Sequence, residues 1–578
     1  MRFKDWLKGK SEYLITGIAV LAVLVVAMVL CPPHYPMNDD ATMKSILSGA
    51  YTGTPDGHAI YMKYPLTGIL SLLYRLTKRV SWFDLFLTGC FWVSVSEVIL
   101  RAYRLFKVRF AGKKCNFVCL LAGVCALCFA LFLPQIFVLH YTLVAGMVGA
   151  CGLFLFVTGG GILPVVLLVL CYCIRSQVFF MLLPFLLVAV LWNVLEKNGK
   201  TILKQVLVLA VGIVVCMAWN GLMYRSLGWQ DYQVYNDSRT RLYDYDKLLP
   251  YEENAELFEN AGISEMQHRL MDEYVLVLAE DITPGMMDTA AELTAAKRNA
   301  GRTGMEYLIY CVKEYYYHTR YNDGPYNYIF IGACILVAVS LLRRKQWWKL
   351  GLLGCFLGGR SLIWVFLIWQ GRFPERVYVS LYFGEILVLA GMLLAGVCKG
   401  KAEATATSVV GEGIDEDFRS NGRSWRKYSP GIVGVVLTLL LLAAGIGLCG
   451  EMWERTEVQA ENHREWTAIT DYCRANPEVS YLLDVYTTVD YSGKAWDCAT
   501  VQENFMLSGG WMSASPLQKE RLESMDRANN CFIIAADREV DWLFEYCRER
   551  HDGLQLEKID SILLDGAVLF DVYRPVAE

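Results

Sequence analysis

The stretch Cys31–Val80, CPPHYPMNDDATMKSILSGAYTGTPDGHAIYMKYPLTGILSLLYRLTKRV, decides how the chain is read. It begins where the first hydrophobic segment, Tyr13–Leu30, ends. Pro32, Pro33 and Pro36 stop that helix and stiffen its exit, because proline lacks an amide donor and restricts the residue before it. Two adjacent carboxylates, Asp39 and Asp40, follow within a few residues of the membrane surface. A Gly-rich turn, GTPDGH at Gly53–His58, then leads to Tyr64-Pro65, which opens an amphipathic segment. Leu66, Ile69, Leu70, Leu73 and Leu76 are expected on one face of that segment, opposite Arg75, Lys78 and Arg79. This is the pattern of a helix lying along an interface rather than across it.

The composition agrees with a membrane setting. Of 578 residues 55% are hydrophobic and 19% charged, which excludes disorder and fits a polytopic membrane protein. No basic face is interleaved with aromatics, so no nucleic-acid partner is expected. The first apolar segment follows Arg2, Lys4, Lys8 and Lys10 and lacks a small-x-small cleavage site, so it reads as an anchor. Apolar runs that fit membrane crossings fall at about 13–31, 82–100, 115–134, 137–157, 162–175, 177–195, 202–222, 326–342, 349–369, 377–398 and 430–449. The 162–175 run is short, and a broken or re-entrant helix is the alternative there. RAYRLFKVRFAGKK after the second run carries six basic and no acidic residues, which puts that loop in the cytoplasm. Parity then gives a cytoplasmic N-terminus, outer loops 32–81 and 223–325, and a cytoplasmic linker 399–429 rich in Ala, Thr, Gly and Ser. Residues 450–578 follow as an extracytoplasmic domain whose β-rich runs, Tyr481–Thr487, Cys531–Ala536 and Ala567–Tyr573, alternate with helical stretches. The fold class expected is therefore a mainly α polytopic membrane protein, residues 1–398 and 430–449, with a C-terminal α/β domain. No internal repeat and no Gly-rich phosphate loop is found.

The nineteen cysteines lie mostly in apolar runs and read as small buried hydrophobes, including the pairs Cys125/Cys128 and Cys171/Cys173. Cys473, Cys498, Cys531 and Cys547 leave one or two disulfides open in an oxidising compartment. Arg360 and Glu385 each lie about nine residues from the loop that joins their helices, so about 13 Å deep at 1.5 Å per residue. Charges at that depth are expensive alone, and the two are expected to pair as a structural element.

An Asp pair after the first apolar run, an aromatic-Pro element opening an interfacial helix, many spans and a C-terminal outer domain together resemble the membrane-embedded GT-C glycosyltransferases. That superfamily includes protein O-mannosyltransferases, lipid A aminoarabinose transferases and O-antigen-modifying glucosyltransferases. KYPL at Lys63–Leu66 is similar to their HPPL-type element, with Tyr where Pro is usual. The resemblance implies a polyprenyl-phosphate sugar as donor and a cell-surface glycan or lipid-linked acceptor. It also implies an aspartate of the first outer loop as catalytic base, and cations that hold the phosphate. Asp40 is preferred over Asp39 for the base; the bland alternative for either is a helix N-cap. Arg372 and Arg376 in GRFPERVY, Arg175 and Lys63 are the phosphate-binding candidates, because arginine pairs with phosphate through two parallel donors. Interfacial anchoring is the alternative for the Arg372/Arg376 pair. Tyr64 belongs to the same element, and His58 is a loop residue that could touch donor or acceptor. NDSRTRLYDYD, Asn236–Asp246, alternates charge with tyrosine in a way that suits sugar stacking or plain packing. No cofactor is expected; a divalent cation on Asp39 and Asp40 is disfavoured because no further carboxylate stands at useful spacing. A lipid-linked-glycan flippase would show paired repeats, and a non-enzymatic scaffold would leave the Asp pair and the outer arginines unexplained.

Overall fold

A computed structural model of the chain describes residues 3–110, 114–195, 199–279, 281–301, 303–407, 430–489, 493–498, 502–524, 530–550 and 555–576. The linker expected at 399–429 lies largely outside them. Among the described residues nine helices are long and apolar enough to cross a membrane, from Ser11–Leu30 to Gly434–Ala475. Two shorter apolar helices, Leu163–Ile174 and Leu183–Leu195, fall within the sequence runs 162–175 and 177–195. The first of these breaks at Arg175, whose extended backbone (φ −151°) separates it from Ser176–Met181.

Every residue of the helix Tyr141–Thr158 is buried. Its centre explains the tight packing: Gly146 faces Ser380 of the helix Glu375–Thr407 so closely that an added Cβ would lie 2.6 Å from the Ser380 side chain. Gly149 and Gly152 likewise make room for Leu182 and Leu168. Without a hydrophobic drive between helices in lipid, small residues that let backbones approach supply the packing. Outward, Gly199–Met223 leaves Leu203, Leu207, Val211 and Val214 exposed, as a lipid-facing helix does. The single apolar stripe expected on the helix Tyr64–Leu76 is divided between two faces. Thr67, Leu70, Ser71 and Tyr74 pack inward, while Ile69, Leu72 and Leu76 face out.

The long polar loop and the C-terminal domain share one core. Strands β1 (Ser480–Leu483), β2 (Phe505–Leu507), β3 (Asn530–Ala535), β4 (Gln555–Leu564) and β5 (Ala567–Val576) form a sheet in the order β2-β1-β3-β5-β4. The first three are parallel, and β5 and β4 add antiparallel. Asp565 and Gly566, both at positive φ, close the β4–β5 hairpin with the Asp-Gly turn that suits the strand twist. Side chains alternate across the sheet. Leu482, Met506, Phe532 and Ile534 pack under the long loop's Leu270, Met271, Val275 and Met287. Tyr481, Leu483, Phe505, Cys531 and Ile533 pack under Ile469 and Cys473. Those two residues belong to the 46-residue helix Pro430–Ala475, which carries the last apolar segment without a break into the domain. Val485–Thr488, expected as the end of a strand, is a helical turn capped by Asp484. Cys473, Cys498, Cys531 and Cys547 are all free thiols, so the disulfides left open by the sequence are not formed here.

Arg360 and Glu385 meet across adjacent helices, Nε to Oε2 at 2.8 Å, both buried. Trp364 Nε1 donates to the other carboxylate oxygen at 2.8 Å, and the guanidinium lies 4.2 Å from the Phe330 ring centroid and 4.4 Å from that of Trp364. Replacing one partner leaves a bare buried charge, a loss of about 3–5 kcal/mol. Arg360→Gln is therefore expected to lower the melting temperature in detergent strongly. The double change Arg360→Glu, Glu385→Arg should recover part of it, since the aromatic box would hold the wrong partner. A double variant that melts no higher than the worse single change would sink the pairing.

Candidate functional site

The loop helix Asn38–Ser48 starts with both carboxylates in its first turn, where the helix dipole favours them. Successive helical residues point about 100° apart, and here the two carboxylates part. Asp40 points inward and is fully buried. Its Oδ1 accepts the backbone N–H of Tyr141 at 3.0 Å, the first residue of the buried helix, and its Oδ2 lies 3.4 Å from His140 Nδ1. Burial pushes the Asp40 carboxyl well up and the His140 imidazole well down, which favours the uncharged form of each. Asp39 instead is half-buried on the wall of a cavity of about 530 Å³.

That cavity lies between the loop helix, the long loop and the C-terminal domain. Arg239, Asp244, Arg372 and Arg376 line it with Asp39, as do Tyr61, Tyr274 and, from the C-terminal domain, Lys494 and Trp511. Its size is that of a small-molecule site. Arg372 is ion-paired with Asp244. Arg376 is half-buried and makes no ion pair with a described residue. Burial raises the pKa of Asp39, opposed by the charges of Arg376, Arg175 and Arg239.

The structure sorts the other residues singled out in the sequence. Arg175 sits behind the wall, 4.8 Å from the Tyr61 ring centroid and 5.3 Å from that of Tyr141, with Nη1 buried and unbonded. Lys63 does not line the cavity; its ammonium lies 5.9 Å from the Tyr172 ring centroid. His58 is also away from it. It bonds Asp56 at 2.6 Å and stacks on Trp229 at 4.5 Å, tying the Gly-rich turn to the start of the long loop. Tyr64 packs edge-on against His58, and its N–H donates to Asn220 Oδ1. Asp39 and Asp40 diverge, one to the cavity wall and the other to the Tyr141 amide. Among the described residues no three His, Cys, Asp or Glu groups converge as metal ligands.

Two features escaped the sequence. Arg239 was inside the charge-and-tyrosine cluster but not distinguished from its neighbours. Asp84, at the start of the helix Trp82–Arg109, was read as part of a span. It is buried and receives Lys44 Nζ at 2.8 Å, the hydroxyls of Tyr35 and Ser81, and the Trp496 N–H at 2.9 Å. Lys44 stands one turn after Asp40 on the loop helix, so this carboxylate fixes both that helix and the C-terminal segment carrying Lys494.

No family model, curated protein or solved structure matches the chain.

Asp84→Asn leaves Lys44 buried without its counter-charge and is expected to cost several kcal/mol, on the order of 3–5. Adding Lys44→Met should restore much of the melting temperature. Equal stability of wild type and Asp84→Asn would overturn the role given to this carboxylate.

Proposed function

We propose that the chain is a multi-pass GT-C-type glycosyltransferase of the plasma membrane, with its N-terminus cytoplasmic and its C-terminal domain outside. It takes a sugar from a polyprenyl-phosphate carrier and transfers it to a cell-surface glycan or lipid-linked acceptor on the outer face. The observation that carries this reading is Asp39: a half-buried carboxylate that shares a cavity with Arg239, Arg372 and Arg376, beside a bundle of apolar helices.

The chemistry follows from that arrangement. The acceptor hydroxyl attacks the anomeric carbon, the bond from that carbon to the phosphate oxygen breaks, and the acceptor proton passes to the Asp39 carboxylate. The charge left on the departing phosphate is met by guanidinium groups already fixed in the cavity wall. Asp39 thus takes the base role for which Asp40 was first preferred. Asp40 has no access to the cavity and acts as a positioning residue through Tyr141. Arg175 adds positive potential from behind the aromatic wall. Trp511 and Tyr61, whose rings lie 4.8 Å apart, offer a surface on which a sugar ring can stack.

The test is transfer by purified protein in nanodiscs, given radiolabelled polyprenyl-phosphate sugars and an envelope acceptor fraction. Asp39→Asn should lose about 10²–10⁴-fold in rate, the range of a general base. Because a base must be deprotonated and burial raises the pKa of Asp39, the rate should rise with pH through an inflection above the usual aspartate range. Full activity of a folded Asp39→Asn variant would remove the assignment. Movement of the carrier lipid across a vesicle without transfer would favour a flippase.

A further inference from the structure

The long loop ends in the helix Gly304–Tyr317, which the sequence places outside the membrane with the rest of 223–325. Its packed face, Tyr307, Cys311 and Tyr315, lies along the apolar helix Trp347–Trp369. The Tyr307 hydroxyl donates to the Trp369 carbonyl at 3.0 Å. The Tyr315 hydroxyl lies 3.3 Å from Ser361 Oγ and accepts from Arg360 Nη1. From Tyr307 to Tyr315 and from Trp369 to Ser361 is eight residues each, so the helices run antiparallel for about 12 Å. Gly304–Tyr317 therefore descends to the depth of the buried Arg360–Glu385 pair. The opposite face is apolar and exposed: Met305 (65%), Ile309, Val312 and Tyr316 (63%), at the spacing of one helical stripe. Patches of this kind are rare on surfaces that face water. Leu362 and Phe366, along the same stretch of Trp347–Trp369, are exposed as well. A helix end away from water must have its carbonyls served by the protein. Here Tyr315 C=O accepts Thr319 Oγ1 at 3.0 Å, His318 C=O accepts the Asp323 N–H at 3.2 Å, and Thr319 C=O accepts Asn327 Nδ2. Asp323 is itself buried and receives the Tyr382 hydroxyl at 2.8 Å.

We infer that Gly304–Tyr317 is a re-entrant limb whose exposed stripe faces the acyl chains of bilayer lipid. It enters the bilayer beside Trp347–Trp369 and turns back through residues 318–323 without crossing, so the parity of the spans is unchanged. Glu306 sits in its first turn, at the entry, and bonds the Thr303 N–H at 2.8 Å. Lys313 and Arg320 are exposed, and long basic side chains keep their charge at the headgroups while their stems lie in apolar surroundings. Side chains on a helix lean toward its N-terminus, which for this limb is toward the membrane surface. Glu314 is half-buried and off the exposed stripe. The turn after the limb packs on Phe373 through His318, ring centroids 5.3 Å apart, and Phe373 adjoins Arg372 of the cavity wall. The limb thus ties one side of the cavity to the bilayer. The inference rests on Trp347–Trp369 crossing the membrane and not on any reaction.

The test uses the full-length protein in nanodiscs. A benzophenone amino acid is placed at Ile309, Val312 or Tyr316, one position at a time, and its photo-crosslinks to radiolabelled phosphatidylcholine are measured. Leu362 serves as the lipid-facing reference, and Leu563, exposed on β4, as the water-facing one. The three limb positions should take up label at the level of Leu362 and several-fold above Leu563. Label at the level of Leu563, or crosslinks to a second copy of the chain in place of lipid, overturns the inference. Hydroxyl-radical footprinting of the unaltered protein, in nanodiscs that hold one copy, decides the matter if the substituted chains do not fold. Tyr316 and Tyr317 should be oxidised several-fold less than Tyr486, which is no more exposed but lies on the C-terminal domain. Equal oxidation of the three tyrosines overturns the limb.

Discussion

The hydrogen bond from the Tyr141 amide to Asp40 is the contact on which the site depends. A helix leaves its first amides without partners, and the helix that begins at Tyr141 is buried along its whole length. Water cannot serve that end, so a side chain must. Asp40 supplies the acceptor at 3.0 Å and thereby docks the loop helix on the centre of the bundle. Once Asp40 is committed inward, the helical rotation of about 100° per residue turns Asp39 toward the cavity. Lys44, one turn later, falls against Asp84 and fixes the rotation a second time. The loss of either contact would leave buried groups unpaired, which is why the helix can present Asp39 in a defined place.

The same accounting runs through the molecule. Charges far from water are tolerated where they are paired, and the pairs tie distant parts of the chain together. Arg360 and Glu385 join two apolar helices. Arg521 reaches the carbonyls of Tyr51 and Glu503 and locks the C-terminal domain to the first loop. Arg538 links Asp484 at the end of β1 to Glu273 of the long loop. Such pairs contribute modest net stability compared with apolar replacements, and their stronger effect is on specificity of assembly.

How far the sequence reveals this depends on the range of the interaction. The apolar helices are legible because hydropathy is local. The Arg360–Glu385 pair is legible because depth in a helix can be counted at 1.5 Å per residue. The carboxylates after the first helix were visible as a pair. Which of them faces the cavity was not, since that turns on Tyr141, a hundred residues away. His58 looked like a ligand-binding residue only because its stacking partner Trp229 is remote in sequence. β2 has three residues and β4 is largely exposed, with the polar run GlnLeuGluLysIleAsp, so neither carries a hydrophobic pattern long enough to read. The division of the helix Tyr64–Leu76 is not legible because Leu70, which faces the protein, and Ile69 and Leu76, which face out, are alike apolar.

The union of the long loop with the C-terminal sheet follows from a simpler constraint. A five-stranded sheet has two apolar faces, and the C-terminal segment alone covers one of them, with the end of the helix Pro430–Ala475. The other face is covered chiefly by residues from the long loop, more than two hundred positions earlier. Neither segment has a complete core without the other. The cavity lies at the meeting line of these two segments and the loop helix, so its walls come from these three parts of the chain together with Arg372 and Arg376. Its shape therefore exists only when all three are docked, and a change at the sheet can reach Asp39 through packing alone. Arg239 sits on the loop that covers the sheet and Asp39 on the helix that caps the bundle. The distance between Asp39 and Arg239 is accordingly set by how the domain rests on the apolar helices.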